Sequence, residues 1–76
     1  MITDVVKGII AEVIGHGDPN EISTSMDFED DLQMDEDDLV EVLEALEAEY
    51  DIDLVNLDYS QFKKVKHLIS YLKEIL

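Results

Sequence analysis

The stretch Asp31-Leu32-Gln33-Met34-Asp35-Glu36-Asp37-Asp38-Leu39-Val40-Glu41 contains a helix start written in local chemistry. Asp35 is a good cap, Asp38 stands three residues on in a capping-box-like position, and Glu36 and Asp37 fill the first turn, where negative charge meets the positive end of the helix dipole. The spacing predicts a helix over Glu36 to Tyr50, with Leu39, Val42, Leu43, Leu46 and Tyr50 on one face. At 100° per residue Glu36, Glu44 and Glu47 fall on a flank, with Val40 as an exposed valine among them.

Before this helix the chain reads as a first helix and a long connection. Thr3 is a candidate cap, and Val6, Ile9, Ile10 and Val13 follow the three-then-four spacing of one buried stripe that should stop near Gly15. Gly15-His16-Gly17-Asp18-Pro19 is turn chemistry, in which Asp18 and Pro19 can cap and open a short helical turn. From there to about Met34 few apolar residues recur, and Ile22, Met26, Phe28 and Leu32 are the side chains able to pin the segment to a core. Ordered loops of this length are usually functional or tethered.

Beyond Tyr50, Asp51-Ile52-Asp53-Leu54 alternates like a short extended segment, and Asp58 with Gln61 suits a brief turn of helix containing Tyr59 and Phe62. Val65, Leu68, Ile69, Leu72 and Leu76 then mark the last helix. Its start is poorly specified, because Lys63, Lys64 and Lys66 sit where the positive helix end disfavours cations. Nothing between Ser60 and Leu76 breaks a helix, so the sequence leaves open whether the short helix and the last one are continuous. The expectation is an all-α fold: one domain over residues 1–76, a small bundle of three main helices plus one short helix, with the long loop between helices 1 and 2.

Composition narrows the function classes. The 76 residues include 20 acids and 5 lysines, a net charge of -15, and no Lys or Arg lies between Gly8 and Phe62. Such a field repels phosphate backbones and anionic membranes and steers basic protein surfaces, so the expected partner is a protein with a basic patch. The absence of cysteine removes disulfides, thiolate zinc sites and thiol catalysis. No stretch approaches a bilayer span and the first residues lack a secretory pattern, which reads as a cytoplasmic protein. Asp27, Glu29, Asp31, Asp35 and Asp38 echo a calcium loop, but Leu32 occupies its glycine position and Asp38 its bidentate glutamate position, so no specific metal site is expected. His16 and His67 share no obvious ligand set, and no catalytic triad or phosphate loop is present; the chain does not read as an enzyme.

The run from Asp31 to Glu41 resembles the acyl carrier protein signature Asp-Leu-Gly-x-Asp-Ser-Leu-Asp, and the resemblance extends over nearly the whole chain. Met26-Asp27-Phe28-Glu29-Asp30-Asp31-Leu32 is similar to the family's run before its attachment site. Ala45-Leu46-Glu47-Ala48-Glu49-Tyr50-Asp51-Ile52-Asp53-Leu54 resembles the family's Ala-Leu-Glu-Glu-Glu-Phe-Asp-Ile-Glu-Ile, and Phe62-Lys63-Lys64-Val65 its Ile-Lys-Thr-Val. In that family a serine hydroxyl carries the phosphopantetheine arm. The ungapped register puts Glu36 at the serine; a shift of two residues puts Asp38 there. Either way a carboxylate stands where a hydroxyl nucleophile is needed, and Ser23, Ser25, Ser60 and Ser70 lack the flanking Asp and Leu.

The resemblance implies recognition through the second helix, with Asp35, Asp38, Val40, Glu41, Glu44 and Glu47 at or near partner-binding positions and Met34 and Val55 bordering them. The first expectation is therefore a monomeric interaction module without phosphopantetheine, which binds a synthase, transferase or regulator. The alternative is an authentic acyl carrier protein of fatty-acid, polyketide or related biosynthesis, with an atypical or substituted attachment site and 4′-phosphopantetheine as its cofactor. A bland reading of Glu36 stands beside both: an acid in a first turn stabilises a helix by roughly 0.3 to 1 kcal/mol whatever else it does.

Overall fold

A computed structural model describes residues 1–15, 17–54 and 61–76. Helix α1 spans Ile2–Ile14, α2 spans Glu36–Tyr50 and α3 spans Val65–Ile75, with a 3₁₀ turn at Pro19–Glu21. The expected cap at Thr3 is not used. The helix starts two residues earlier, where the Met1 carbonyl accepts the Val5 N–H at 3.1 Å with no side-chain cap. Gly15 ends α1 as expected, at φ 73°, where its N–H reaches the carbonyls of Ala11 and Glu12. A side chain is costly in that left-handed conformation, and glycine avoids the penalty. Asp18 then opens the 3₁₀ turn by accepting the Asn20 N–H at 2.9 Å.

The three helices share one core. Val6, Ile10 and Ala11 of α1 meet Leu39, Val42, Leu43 and Leu46 of α2 and Val65, Leu68, Ile69 and Leu72 of α3. These are the expected stripes, except that Ile9, Val13 and Tyr50 are half-buried, Ala11 joins the buried set and Leu76 is exposed. The connections contribute to the same core: Ile22, Phe28, Met34, Leu54 and Phe62 are all buried. Of the side chains expected to pin the long connection, Ile22 and Phe28 are buried while Met26 and Leu32 pack half-buried against the core. Full burial of one such side chain is worth about 1.5 to 3 kcal/mol, which is how a segment of 21 residues between α1 and α2 stays in place.

The start of α3 decides a point the sequence left open. Lys64 is extended, at φ -118° and ψ 155°, and pairs with Asp27 in an antiparallel bridge, so α3 does not continue back through it. Three backbone bonds stitch this point to the long connection: Phe28 N–H to Lys63 C=O at 3.0 Å, Val65 N–H to Met26 C=O at 3.0 Å, and Lys66 N–H to Thr24 C=O at 2.8 Å. Pairing with a distant strand-like segment outweighs local helix propensity here. The expected short helix at Asp58, Tyr59 and Gln61 falls largely on residues 55–60, outside the described residues, as does the expected role of Val55. His16 lies outside them too.

Candidate functional site

The start of α2 is built by a reciprocal cap. Asp38 N–H donates to Asp35 Oδ1 at 2.9 Å, and Asp35 N–H donates to Asp38 Oδ2 at 3.3 Å, satisfying two backbone donors that a helix start leaves orphaned. Just upstream the chain makes a tight turn. The Asp27 carbonyl accepts N–H groups from Asp31 and Leu32, and Met34 N–H returns to Phe28 C=O at 2.9 Å. The turn closes at Gln33, whose φ of 54° is left-handed. A side chain there costs roughly 1 to 2 kcal/mol, which a glycine would not incur.

This turn is held from the other end of the chain. Lys64 Nζ donates to Asp27 Oδ1 at 2.6 Å and to the Ser25 carbonyl at 3.4 Å. The hydrogen bond from Lys64 holds the Asp27 carboxyl below the usual aspartate range, against the opposing effect of burial. The same bond pushes the Lys64 ammonium up. Sequence reading missed this pair, and the 37 residues between its members explain why: no local spacing links them.

The expected partner-binding residues all lie on or beside α2. Glu36, Glu41 and Glu44 are exposed on the helix, and Asp35 is exposed at its cap. Val40, expected to be exposed, is half-buried; long neighbours three and four residues away on a helix shade a short branched side chain. Glu47 is half-buried as well, and its Oε2 accepts the Leu54 N–H at 3.0 Å. That carboxylate fastens the segment after α2 to the helix and draws the buried Leu54 against the core. Met34, expected to border the surface, is buried beneath it. No group of three or more His, Cys, Asp or Glu is arranged to hold a metal ion among the described residues.

Residues 4–72 match the family model described as the phosphopantetheine attachment site. The chain belongs to the acyl carrier protein family. It is 38% identical over 69 residues to the acyl carrier protein of Bdellovibrio bacteriovorus, covering 91% of this chain and 87% of that protein. Identity to the acyl carrier protein of Clostridium acetobutylicum is 37% over 73 residues, covering 96% and 94% of the two chains. The Brachyspira hyodysenteriae acyl carrier protein is 32% identical over 73 residues, with the same coverage. Acyl carrier proteins are carriers rather than enzymes, and this membership weighs toward the carrier alternative and away from the arm-less interaction module. No helix among the described residues is long and apolar enough to cross a membrane.

Phosphopantetheine is the group this family implies, and the residues that open α2 can be tested against it. Glu36, Asp37 and Asp38 offer carboxylates and no hydroxyl, and a carboxylate forms at best a labile mixed anhydride with phosphate. The nearest hydroxyls before α2 among the described serines, Ser23 and Ser25, hydrogen-bond each other at 2.8 Å in the preceding loop. The donor set at the start of α2 does not fit a stable phosphodiester.

Proposed function

We propose that this chain is an acyl carrier protein whose attachment residue is substituted: a carrier scaffold with its recognition helix retained, in which Glu36 occupies the place of the attachment serine. The observation that carries this reading is the backbone at Gln33. In the ungapped register the glycine of Asp-Leu-Gly-x-Asp-Ser-Leu-Asp falls on Gln33, at φ 54°. In the register shifted by two it falls on Asp35, at φ -95° and ψ -177°, an extended conformation that asks for no glycine. A left-handed residue at the glycine position favours the ungapped register, and with it Glu36 over Asp38.

Synthases or transferases of fatty-acid, polyketide or related biosynthesis are the partners this reading implies, approached by a monomer in the cytoplasm. Glu41 and Glu44 present the exposed charge for a basic patch, with Val40 as a partly covered apolar contact beside them. A second reading, the arm-less interaction module, is favoured by one specific observation, the carboxylate at position 36. Intact-mass measurement with coenzyme A and a broad phosphopantetheinyl transferase separates the two. We expect the wild type to stay unmodified and Glu36→Ser to gain one phosphopantetheinyl group. Failure of Glu36→Ser to load, while remaining helical, would remove the carrier scaffold and leave the module; loading of the wild type would mean that the arm attaches elsewhere.

A further inference from the structure

An open cleft of about 500 Å³ lies between the turn at residues 27–30, the first turn of α2 and Phe62. Its floor is apolar, formed by Phe28, Met34, Leu39 and Phe62. Among the described residues its rim carries the exposed carboxylates of Glu29, Asp30, Asp35 and Glu36 against one cation, Lys63; the other lining acid, Asp27, is already paired with Lys64. An apolar cavity of ~150 Å³ is enough to hold benzene, so the cleft has room for a large aliphatic or aromatic side chain and the stems beside it.

Charge decides what such a cleft accepts. A carboxylate or phosphate head brought to this rim meets four acids and one lysine, whereas an apolar group flanked by lysine or arginine meets a floor that buries it and a rim that pairs with its flanks. Basic side chains lay apolar stems over such surfaces while their heads reach the acids. Glu36 belongs both to the cleft rim and to the outer flank of α2, so one segment of chain can reach the two surfaces without a break. A buried anchor at the centre of a polar rim is the common arrangement of energetically dominant contacts in protein interfaces.

We propose that the cleft takes an apolar side chain from a basic segment of the protein that docks on α2, anchoring that partner beside Glu36. The proposal rests on the partner-binding reading of α2 and adds to it an apolar contact that the acids alone do not provide. Charge complementarity makes the occupant a basic protein segment.

Methyl-detected NMR on the wild-type chain tests it, with three capped peptides as probes: leucine flanked on each side by Lys-Arg pairs, the same peptide with alanine at the centre, and leucine flanked by glutamates. We expect the basic leucine peptide to shift the methyl resonances of Met34 and Leu39, the alanine version to bind about tenfold more weakly, and the acidic version to leave the spectrum unchanged. Equal affinity of the two basic peptides, with shifts confined to the methyls of Val40 beside Glu41 and Glu44, would overturn the cleft while sparing the recognition role of α2. Absence of any shift in α2 with either basic peptide would sink both. Octanoate moving the Met34 and Leu39 methyls more strongly than the basic leucine peptide would make the cleft an acyl-chain site and overturn the proposal.

Discussion

The N-termini of α2 and α3 solve one problem in opposite ways. At α2 the residues that need partners supply them: Asp35 and Asp38 cap each other's backbone, and Glu36 and Asp37 add charge of the sign the dipole prefers. At α3 the local charge has the wrong sign, with Lys63, Lys64 and Lys66 around the start. Order there comes from elsewhere in addition to one local cap. Lys64 sits outside the helix as an extended residue, its ammonium is drawn away to Asp27, and its N–H is accepted by His67 Nδ1 at 3.2 Å. A helix start can be encoded within four residues or assembled across the fold, and only the first kind is legible locally.

The largest effect should come from cutting the assembled start. Asp27→Ala leaves Lys64 without its acid and frees the turn that precedes α2, so the thermal midpoint should fall further than for any cap substitution at α2. Circular-dichroism melts of both variants check this, and a smaller loss than for Asp35→Ala would reverse the ranking. The pH dependence follows from the same pair. The Asp27 pKa is depressed in the folded chain, so its contribution is present above the unfolded value, near pH 4, and lost as pH falls through the folded value. The Lys64 pKa is raised, so its contribution is full below the unfolded value, near pH 10, and lost as pH rises through the folded value. The stability gap between wild type and Asp27→Ala should therefore be widest between these limits and narrow beyond both, as read from urea unfolding across pH.

Asp35→Ala should come next. It removes the side-chain acceptor for the Asp38 N–H and should cost about 1 kcal/mol in urea unfolding, within the range for lost helix caps. The smallest change should be Gln33→Gly. Relief of the left-handed strain, roughly 1 to 2 kcal/mol, is partly offset by the entropy glycine brings to the unfolded chain, leaving a gain of about 0.5 kcal/mol. A loss of stability there would mean that the Gln33 side chain contributes contacts that outweigh its backbone strain.

Much of the candidate site was legible for the same reason that the start of α2 is self-sufficient. The capping box, the buried face of α2 and the end of α1 at Gly15 follow from spacings of three and four residues, which is the range over which helix geometry brings side chains together. The assignment of Val40 as exposed and of Glu47 as free for a partner went beyond that range. Val40 is shaded, and Glu47 Oε2 is taken by the backbone of Leu54, seven residues away across a bend. Burial of Met34 was missed because Gln33 and Asp35 flank it, and its contacts come from the core beneath rather than from the sequence beside it.

The sequence by itself determined which faces of the helices are apolar, where α2 begins, that a carboxylate stands at position 36, and that the chain resembles acyl carrier proteins. These depend on residue identity and short spacing. Only the tertiary structure decided that α3 begins at Val65, that Asp27 and Lys64 hold the turn before α2, and that Phe28, Met34, Leu39 and Phe62 floor an acid-rimmed cleft. Those features need partners tens of residues apart to meet, and such meetings are set by how the shared core packs.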